Sequence, residues 1–172
     1  MIKSKKNIFF FILIIFSVYC SISIGFSWDE LTLSEQGKIT TNYLLSLGTI
    51  DPKDIFRREF YSPIYYSLKY LITQIFPTKY HIEAGHLVNL FFSIAAIVGL
   101  KKLCENLFNK KTGIIAFLIL FFYPAFFGHM GFNSKDTIIA FCHIWIFLFT
   151  IKYIQTNEGR YLNLIGILAA TG

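Results

Sequence analysis

The chain has 172 residues, of which 55% are hydrophobic, 19% aromatic and 15% charged, and its formal net charge is +6. A soluble domain carries roughly 25% charged residues and spreads its apolar residues in periodic stripes. This chain instead gathers its apolar residues into blocks that hold almost no ionisable side chain, at residues 9–26, 87–100, 113–127 and 137–151. With its flanks, each block approaches the roughly 20 helical residues that a bilayer core requires. The composition therefore excludes an ordinary soluble domain and predicts an all-α, polytopic membrane protein.

The first predicted helix, residues 7–27, follows the basic start MIKSKK. A basic start before an apolar run is also typical of a signal peptide, but this run is longer than a usual signal core and no A-x-A cleavage site follows it. We therefore predict an uncleaved membrane helix with a cytoplasmic N-terminus. It ends at Trp28, a residue type typical of the headgroup region.

An outer loop, residues 28–81, comes next and is too long for a simple linker. Its first half has helix character as far as Gly48. Its second half contains SPIYYSLKYLITQIF, residues 62–76, in which apolar residues recur at helical spacing with tyrosines between them. This pattern predicts an amphipathic helix that starts at Pro63 and lies on the membrane surface.

Three further spanning helices are predicted at residues 82–102, 112–127 and 136–153, and Pro124 is expected to kink the second of these. A last apolar run, residues 161–172, is too short to span a membrane. We thus expect about four full transmembrane helices and a truncated fifth, all within the N-terminal portion of one domain. A piece of a longer protein is favoured over a chain that ends in a short re-entrant helix.

The basic residues flank the segments that this topology assigns to the cytoplasm: Lys3, Lys5, Lys6, Lys101, Lys102, Lys110, Lys111, Lys152 and Arg160. This is the positive-inside pattern of a cell (inner) membrane protein. The partners of the basic charge are therefore expected to be anionic membrane lipids and not nucleic acid. Cys20, Cys104 and Cys142 have no CxxC partner and are interpreted as apolar thiols.

Two acidic sites fall on the same predicted membrane face: Asp29-Glu30 after the first helix, and Asp136, next to Lys135, at the start of the fourth. Asp136 could simply favour the positive end of its helix, with Asn133 or Ser134 as the cap. Together, however, the two sites could frame one cavity in which a carboxylate deprotonates a hydroxyl or holds a divalent cation.

Other polar residues could serve the same cavity. Arg57, Arg58 and Lys135 could bind a phosphate, although the arginines could equally contact solvent or headgroups. His86 and His129 lie near outer helix ends, where a satisfied polar residue is the simpler reading. His143, within the fourth helix, is expected to bond a neighbouring helix. The chain has no HExxH, Walker or GxGxxG motif, so neither a dedicated zinc site nor cytosolic nucleotide use is predicted.

In order, the chain thus has an N-in helix, the acidic pair in WDE, residues 28–30, a long outer loop with an amphipathic helix, and a helix that opens HLVNLFF. A basic loop and a proline-broken helix that leads to FGHMGFNSKD follow. This order resembles the N-terminal part of the GT-C membrane glycosyltransferases, and within them it is most similar to the protein mannosyltransferases and aminoarabinose transferases. The resemblance covers essentially all 172 residues, about the first third of such an enzyme, and rests on order and spacing.

The resemblance implies that a sugar is transferred, with inversion, from a polyprenyl-phosphate donor to a lipid, glycan or protein acceptor on the outer face. By position, Asp29 would be the catalytic carboxylate with Glu30 beside it, and Asp136 would serve the acceptor or a metal. Lys135 would touch the carrier phosphate. Tyr61 falls in FYSPIYY, where relatives often carry Tyr-Gly-Pro or His-Pro-Pro, and Ser62 replaces the glycine or the middle proline. No cofactor is fixed by the sequence; a divalent cation stays open, with Asp29 and Asp136 as its ligands.

Two other readings remain open. A transporter subunit or scaffold would be expected to place polar residues near the bilayer midplane. The predicted spans hold little beyond Ser93 and His143, which favours a surface-facing enzyme. The chain could also be an inactive remnant of such an enzyme.

Overall fold

The computed structural model describes residues 2–47, 49–50 and 62–172, with side chains from Ile8 onward. The predicted site residues Arg57, Arg58 and Tyr61 lie outside this part of the chain. Helices are the only regular elements in it, with a short 3₁₀ turn at Thr78–Tyr80. We number the helices α1 (Ile2–Ser23), α2 (Glu30–Leu45), α3 (Pro63–Thr73), α4 (His81–Leu107), α5 (Lys110–Phe122), α6 (Pro124–His129), α7 (Ser134–Thr156) and α8 (Arg160–Thr171).

Two helical stretches of the described chain are long and apolar enough to cross a membrane, Thr78–Leu107 and Ser134–Thr156. A shorter apolar stretch, Ile8–Ser23, lies within α1. The all-helical prediction is thus confirmed for the described residues, whereas full spans are supported for two helices and not for the four predicted. The last helix, Arg160–Thr171, has 12 residues.

The predicted helix at 112–127 is divided in two. The backbone of Tyr123 is extended, with φ −68° and ψ 114°, and α6 begins at Pro124. Proline has no N–H to donate and disfavours a helical conformation in the residue before it. The kink expected at Pro124 is therefore a full break between α5 and α6.

The two long helices pack against each other through a close contact at Gly99 of α4. A Cβ atom at this position would lie 2.7 Å from Nε1 of Trp145 on α7, so only glycine admits the indole ring. The same Nε1–H donates to the carbonyl oxygen of Ala95 at 3.0 Å. One tryptophan thus fixes the distance between α4 and α7 and also satisfies its own polar group.

The outer segment folds into two helices that also meet through a glycine. Gly37 of α2 packs on α3, and a Cβ atom there would lie 2.5 Å from the carbonyl oxygen of Tyr66. Tyr65 and Tyr66 are completely buried in this region. The helix predicted on the residue 62–76 segment is confirmed, and it exposes Ile64, Leu68 and Leu71 on its opposite side.

A buried polar network ties the loop after α6 to the middle of α4. Asn89 donates to the carbonyl oxygen of Met130 at 3.0 Å, and Ser93 donates to the same oxygen at 2.9 Å. Tyr65 donates from its hydroxyl to Oδ1 of Asn89 at 3.0 Å. Because each of these buried groups has a partner, the network can hold the loop rigidly where α7 begins.

Candidate active site

The turn between α1 and α2 carries the acidic pair. Glu30 is the first residue of α2, and its side chain folds back so that Oε2 accepts a hydrogen bond from the Ser27 backbone N–H at 2.7 Å. The contact resembles half of a capping box, with the same Ser-x-x-Glu spacing, but here it closes the turn that precedes the helix. The turn is therefore stabilised by one of the two acidic residues that it presents.

The other oxygen of Glu30 contacts His86, at the start of α4. Oε1 lies 2.5 Å from Nε2, and Nδ1 of the same imidazole lies 2.9 Å from the carbonyl oxygen of Ser21 on α1. A carbonyl oxygen only accepts, so Nδ1 carries a proton and donates it. The Nε2–Oε1 contact requires a further proton between its two atoms. His86 is fully buried and the Glu30 side chain is 9% exposed. The imidazole of His86, on α4, thus links to α1 through Ser21 and to α2 through Glu30 in the interior of the protein.

The pKa of the Glu30 carboxyl follows from this environment. Burial alone would raise it, but the hydrogen bonds from His86 and Ser27 and the positive charges of His86 and Lys69 outweigh the burial, and the pKa lies below its usual value. The carboxyl is therefore ionised at neutral pH, and because a carboxylate oxygen only accepts, Nε2 of His86 is the donor in this contact. Both oxygens of Glu30 already take part in hydrogen bonds, so Glu30 fixes the position of the turn and is not free to act as a base.

Asp29 has a different environment, although it is the next residue in the chain. Its side chain is 53% exposed, and Oδ2 accepts from Nζ of Lys135 at 2.9 Å. The hydrogen bonds among the described residues leave Oδ1 uncommitted. The two neighbouring carboxylates thus differ sharply. Glu30 accepts hydrogen bonds on both of its oxygens inside the protein, whereas Asp29 has one uncommitted oxygen at the surface of a cleft.

That cleft has a volume of about 280 Å³ and unites most of the residues predicted from the sequence. It is lined by the side chains of Ser27, Asp29, Glu30, His129, Asn133, Lys135 and Asp136, among others. His86 does not line the cleft, but it contacts Glu30, which does. The structure therefore brings together five predicted site residues directly and a sixth through its partner, although they come from three separate segments of the chain.

Asn133 organises the far wall of the cleft. Its side chain caps α7 by accepting from the Asp136 backbone N–H at 3.4 Å, and its amide donates to Oδ2 of Asp136 at 2.8 Å. The same amide nitrogen lies 2.8 Å from Nδ1 of His129, which therefore acts as an acceptor. Asn133 is thus the helix cap that the sequence left open between two residues.

The expectation that His143 bonds a neighbouring helix is wrong, because its Nδ1 donates to the carbonyl oxygen of Ile139 in its own helix.

A second cavity, of about 230 Å³, lies on the other side of Glu30. It shares Glu30 and Leu33 with the cleft. Its remaining wall combines apolar and aromatic residues with polar ones: Phe26, Leu31, Tyr66, Tyr70 and Ile82, and Ser34, Thr73, Thr78 and His81. Lys69 of α3 supplies its basic charge. The two cavities are therefore neighbours with one carboxylate between them, and the second differs from the first by its buried lysine and its two tyrosines.

Burial lowers the pKa of Lys69 to about 8, although the negative charge of Glu30 acts to raise it. An ammonium group that is costly to keep charged gains strongly from an incoming anion. Lys69 is not among the site residues predicted from the sequence, since a lone lysine in an amphipathic helix is normally interpreted as solvent-facing. The available signal was its position three residues after Tyr66, on the side of α3 that faces the protein.

Tyr66 connects this second cavity to the start of α7. Its hydroxyl donates to Oγ of Ser134 at 3.3 Å. Burial, together with the negative charges of Asp29 and Asp136, raises its pKa to about 12 despite the bond to Ser134. The phenol therefore stays protonated at neutral pH and can serve only as a neutral hydrogen-bonding group.

Comparison with known proteins identifies the family. Residues 62–172 match the family described as dolichyl-phosphate-mannose-protein mannosyltransferase. The chain belongs to this family. Searches of curated proteins and of solved structures each found no match.

Over residues 62–172, membership confirms the resemblance drawn from the sequence, and it makes the chain a membrane protein of a glycosyltransferase family. The matched region of this mannosyltransferase-family chain begins at α3 and contains Lys69, His86, Lys135 and Asp136. Asp29 and Glu30 precede it, so their place in the site rests on the contacts described above. Within the described ranges, no three His, Cys, Asp or Glu side chains are grouped so as to hold a metal ion.

Proposed function

We propose that this chain forms the acceptor-activating part of a membrane enzyme that transfers mannose from a polyprenyl-phosphate carrier to a hydroxyl group at the outer membrane face. The observation that carries the proposal is the pair of cavities that share Glu30. One presents a half-exposed carboxylate, Asp29, and the other presents a cation, Lys69, beside apolar and aromatic side chains. The donor and acceptor of such a reaction need these two environments side by side.

The cavity that contains Lys69 suits the donor. A polyprenyl-phosphate sugar carries one anionic phosphate on an apolar chain. This cavity offers Lys69 for the phosphate, apolar and aromatic side chains for the chain, and hydroxyl groups that could contact the sugar. When the phosphate binds, its charge would stabilise the protonated form of Lys69. Lys69 would then stabilise the negative charge that the phosphate gains as the sugar leaves.

The cleft that contains Asp29 suits the acceptor. Oδ1 of Asp29 would take the proton of the acceptor hydroxyl while that oxygen attacks the anomeric carbon of the sugar. The bond from the anomeric carbon to the phosphate oxygen breaks, and its electron pair goes to the phosphate. Attack from the side opposite the phosphate inverts the anomeric centre. Asp136 and Asn133, on the facing wall, would orient the acceptor by hydrogen bonds.

Glu30 and His86 act as positioning residues in this account. Their ion pair fixes the first turn of α2 against α1 and α4, and Asp29 immediately precedes that turn. Lys135 in turn sets the rotamer of Asp29 from the opposite wall. The base is thus oriented by two partners that the chain supplies from distant segments.

The proposed membrane orientation follows from charge. Lys101 and Lys102 lie near the end of α4 that is remote from His86, and Lys152 and Arg160 lie near the equivalent end of α7. If these ends face the cytoplasm of a cell (inner) membrane protein, the N-terminus is also cytoplasmic and the cleft opens outside. The polar groups within the spans weigh against a transporter, since Asn89 and Ser93 both donate to one loop carbonyl.

The test uses the whole protein reconstituted in proteoliposomes with synthetic polyprenyl phosphate mannose that carries a radiolabel in the sugar. The proposal predicts time-dependent transfer of the label from the lipid fraction to an added hydroxyl acceptor, with release of polyprenyl phosphate. Nucleotide-linked mannose, supplied alone, should give no transfer. Turnover with the nucleotide sugar, or none with the lipid-linked sugar across peptide, glycan and lipid acceptors, would contradict the proposed donor.

A further inference from the structure

We propose that the chain carries a binding site for the phosphate headgroup of an anionic phospholipid at the end of the helical bundle remote from the cleft. A pocket of about 550 Å³ lies there between the last turns of α4, the second half of α7 and the start of α8. Its wall includes Lys102, Lys152 and Arg160 together with the rings of Trp145 and Tyr161. None of these residues has a part in the proposed sugar transfer.

The pocket is separated from the cleft by most of the length of two helices. Lys102 follows His86 by 16 positions in α4, and Lys152 follows Lys135 by 17 positions in α7. At 1.5 Å per residue, these separations are each about 25 Å, which is close to the thickness of a bilayer core. The pocket therefore lies at the opposite membrane boundary, where phospholipid headgroups are found.

The charge of the pocket favours an anion. Its acidic lining residue, Glu105, is paired with Lys101 at 3.1 Å, and Arg160 is paired with Glu158. In the described structure Lys102 and Lys152 have no carboxylate within salt-bridge distance. Two ammonium groups from different helices thus remain to be neutralised by a ligand, and a phosphate that bridges them would join α4 to α7.

The aromatic rings hold the cations in place before any ligand arrives. Nζ of Lys102 lies 5.1 Å from the centre of the Trp145 ring, and Nζ of Lys152 lies 6.0 Å from that of Tyr161. Trp145 is anchored by its own bond to Ala95, and Tyr161 is buried. Cations placed over fixed rings lose less conformational freedom on binding than solvated lysines do.

The apolar part of the pocket distinguishes a phospholipid from free phosphate. Leu148, Phe149 and Leu164 line it beside the cations, and the first two belong to the membrane-spanning stretch of α7. Free phosphate would gain nothing from these side chains. A headgroup whose acyl chains descend along α7 and α8 would use both kinds of contact.

The experiment compares two double variants of the whole protein in nanodiscs of phosphatidylcholine with a minor fraction of phosphatidylglycerol. Lys102→Gln/Lys152→Gln removes two charges from the pocket. Lys110→Gln/Lys111→Gln removes two charges from exposed positions at the same end of the bundle. Native mass spectrometry measures the phosphatidylglycerol retained, and thermal unfolding confirms that each variant is folded.

We expect the pocket variant to lose about tenfold in phosphatidylglycerol affinity and the control variant to retain wild-type affinity. Equal loss in both variants would show that the lipid responds only to surface charge, and would overturn the site. Displacement of the lipid by inorganic phosphate at equal concentration would overturn the role of the apolar wall. Sugar transfer is not part of this readout, so failure here leaves the proposed function untouched.

Discussion

The imidazole of His86 and the carboxylate of Glu30, 56 positions apart in the chain, meet at 2.5 Å in the interior of the protein. The imidazole also donates to the carbonyl oxygen of Ser21, and the carboxylate also accepts from the Ser27 N–H. Four groups from three segments are therefore satisfied by one ion pair. Asp29, the proposed base, directly precedes Glu30 in the chain, so its position depends on the geometry of the Glu30–His86 pair.

Removal of Glu30 should destabilise the protein. Glu30→Ala leaves the Nε2 atom of His86 buried without a partner, and breaking a buried ion pair typically costs about 3 kcal/mol or more in the free energy of unfolding. Glu30→Gln should cost much less, because its amide can donate to Nε2 of neutral His86 while its oxygen accepts from Ser27. Thermal unfolding of the purified variants in detergent measures both effects.

The contribution of the Glu30–His86 pair to stability should depend on pH. The pKa of Glu30 is lower in the folded protein than in the unfolded chain, so its contribution to stability is complete above the ordinary carboxyl pKa and is lost as the pH falls through the folded pKa. Glu30→Gln should lack this acid-dependent component. Equal stability of the alanine variant and the wild type would show that the pair contributes nothing.

Lys69 predicts an alkaline limit on donor use. Its pKa of about 8 in the folded protein means that most Lys69 ammonium groups lose their proton between about pH 7 and pH 9, whereas an ordinary lysine stays charged. The ratio kcat/KM for the lipid-linked donor should therefore fall above about pH 8. Lys69→Arg should keep donor use constant across this range, because a guanidinium group stays protonated.

Lys69→Met should raise KM for the donor below about pH 8, by about tenfold or more, through loss of a charged hydrogen bond, and its difference from the wild type should shrink as the wild-type amine loses its proton. The exposed Lys38 of α2 offers a control in Lys38→Met, which should leave KM unchanged. Because burial lowers the pKa of Lys69, folding has a free-energy cost while the amine is charged. The wild-type free energy of unfolding should therefore rise between about pH 8 and the ordinary lysine pKa of 10.5. A pH-independent KM in the wild type would remove Lys69 from the donor site.

Gly37 should tolerate no side chain. A Cβ atom there would lie 2.5 Å from the carbonyl oxygen of Tyr66 and 3.1 Å from Cβ of Tyr70, and the first of these contacts is with backbone. Gly37→Ala should force α2 and α3 apart and cost about 1–3 kcal/mol in the free energy of unfolding. Gly166→Ala, in α8, meets nothing within 4 Å and should be neutral or stabilising by up to about 1 kcal/mol. A loss of stability at Gly166 equal to that at Gly37 would show that the contact is not the cause.

Ser62 should gain from replacement by glycine. Its backbone has φ 35° and ψ 62°, in the left-handed region, and it precedes Pro63, which further restricts it. Ser62→Gly should raise the free energy of unfolding by about 1 kcal/mol, since glycine adopts this conformation without steric cost. Ser62→Ala should give no gain. An equal gain from alanine would show that the serine hydroxyl, and not the backbone, was unfavourable.

Local chemistry made some features predictable and left others hidden. The break at Pro124, the cap before Asp136 and the start of α3 at Pro63 depend on neighbouring residues, so the sequence indicates them directly. The convergence of WDE with NSKD was expected from topology, which places both at the same membrane face.

The pairing within the site was not predictable in the same way. Nothing local in the chain shows that Glu30 contacts His86 while Asp29 contacts Lys135, since both pairs join distant segments. Asn89 and Lys69 were missed for a related reason. Each is flanked by apolar residues in its helix, and its role depends on which side of that helix the tertiary packing buries.

The most direct test of the account is donor binding and sugar transfer measured side by side for Asp29→Asn in the whole protein. The substitution keeps the shape of the side chain and removes the base. We expect the donor KM to stay near its wild-type value and kcat to fall by at least about a hundredfold. Glu35→Gln, an exposed change on the same helix, should retain full activity. Wild-type turnover by Asp29→Asn would contradict the assignment of Asp29 as the catalytic base.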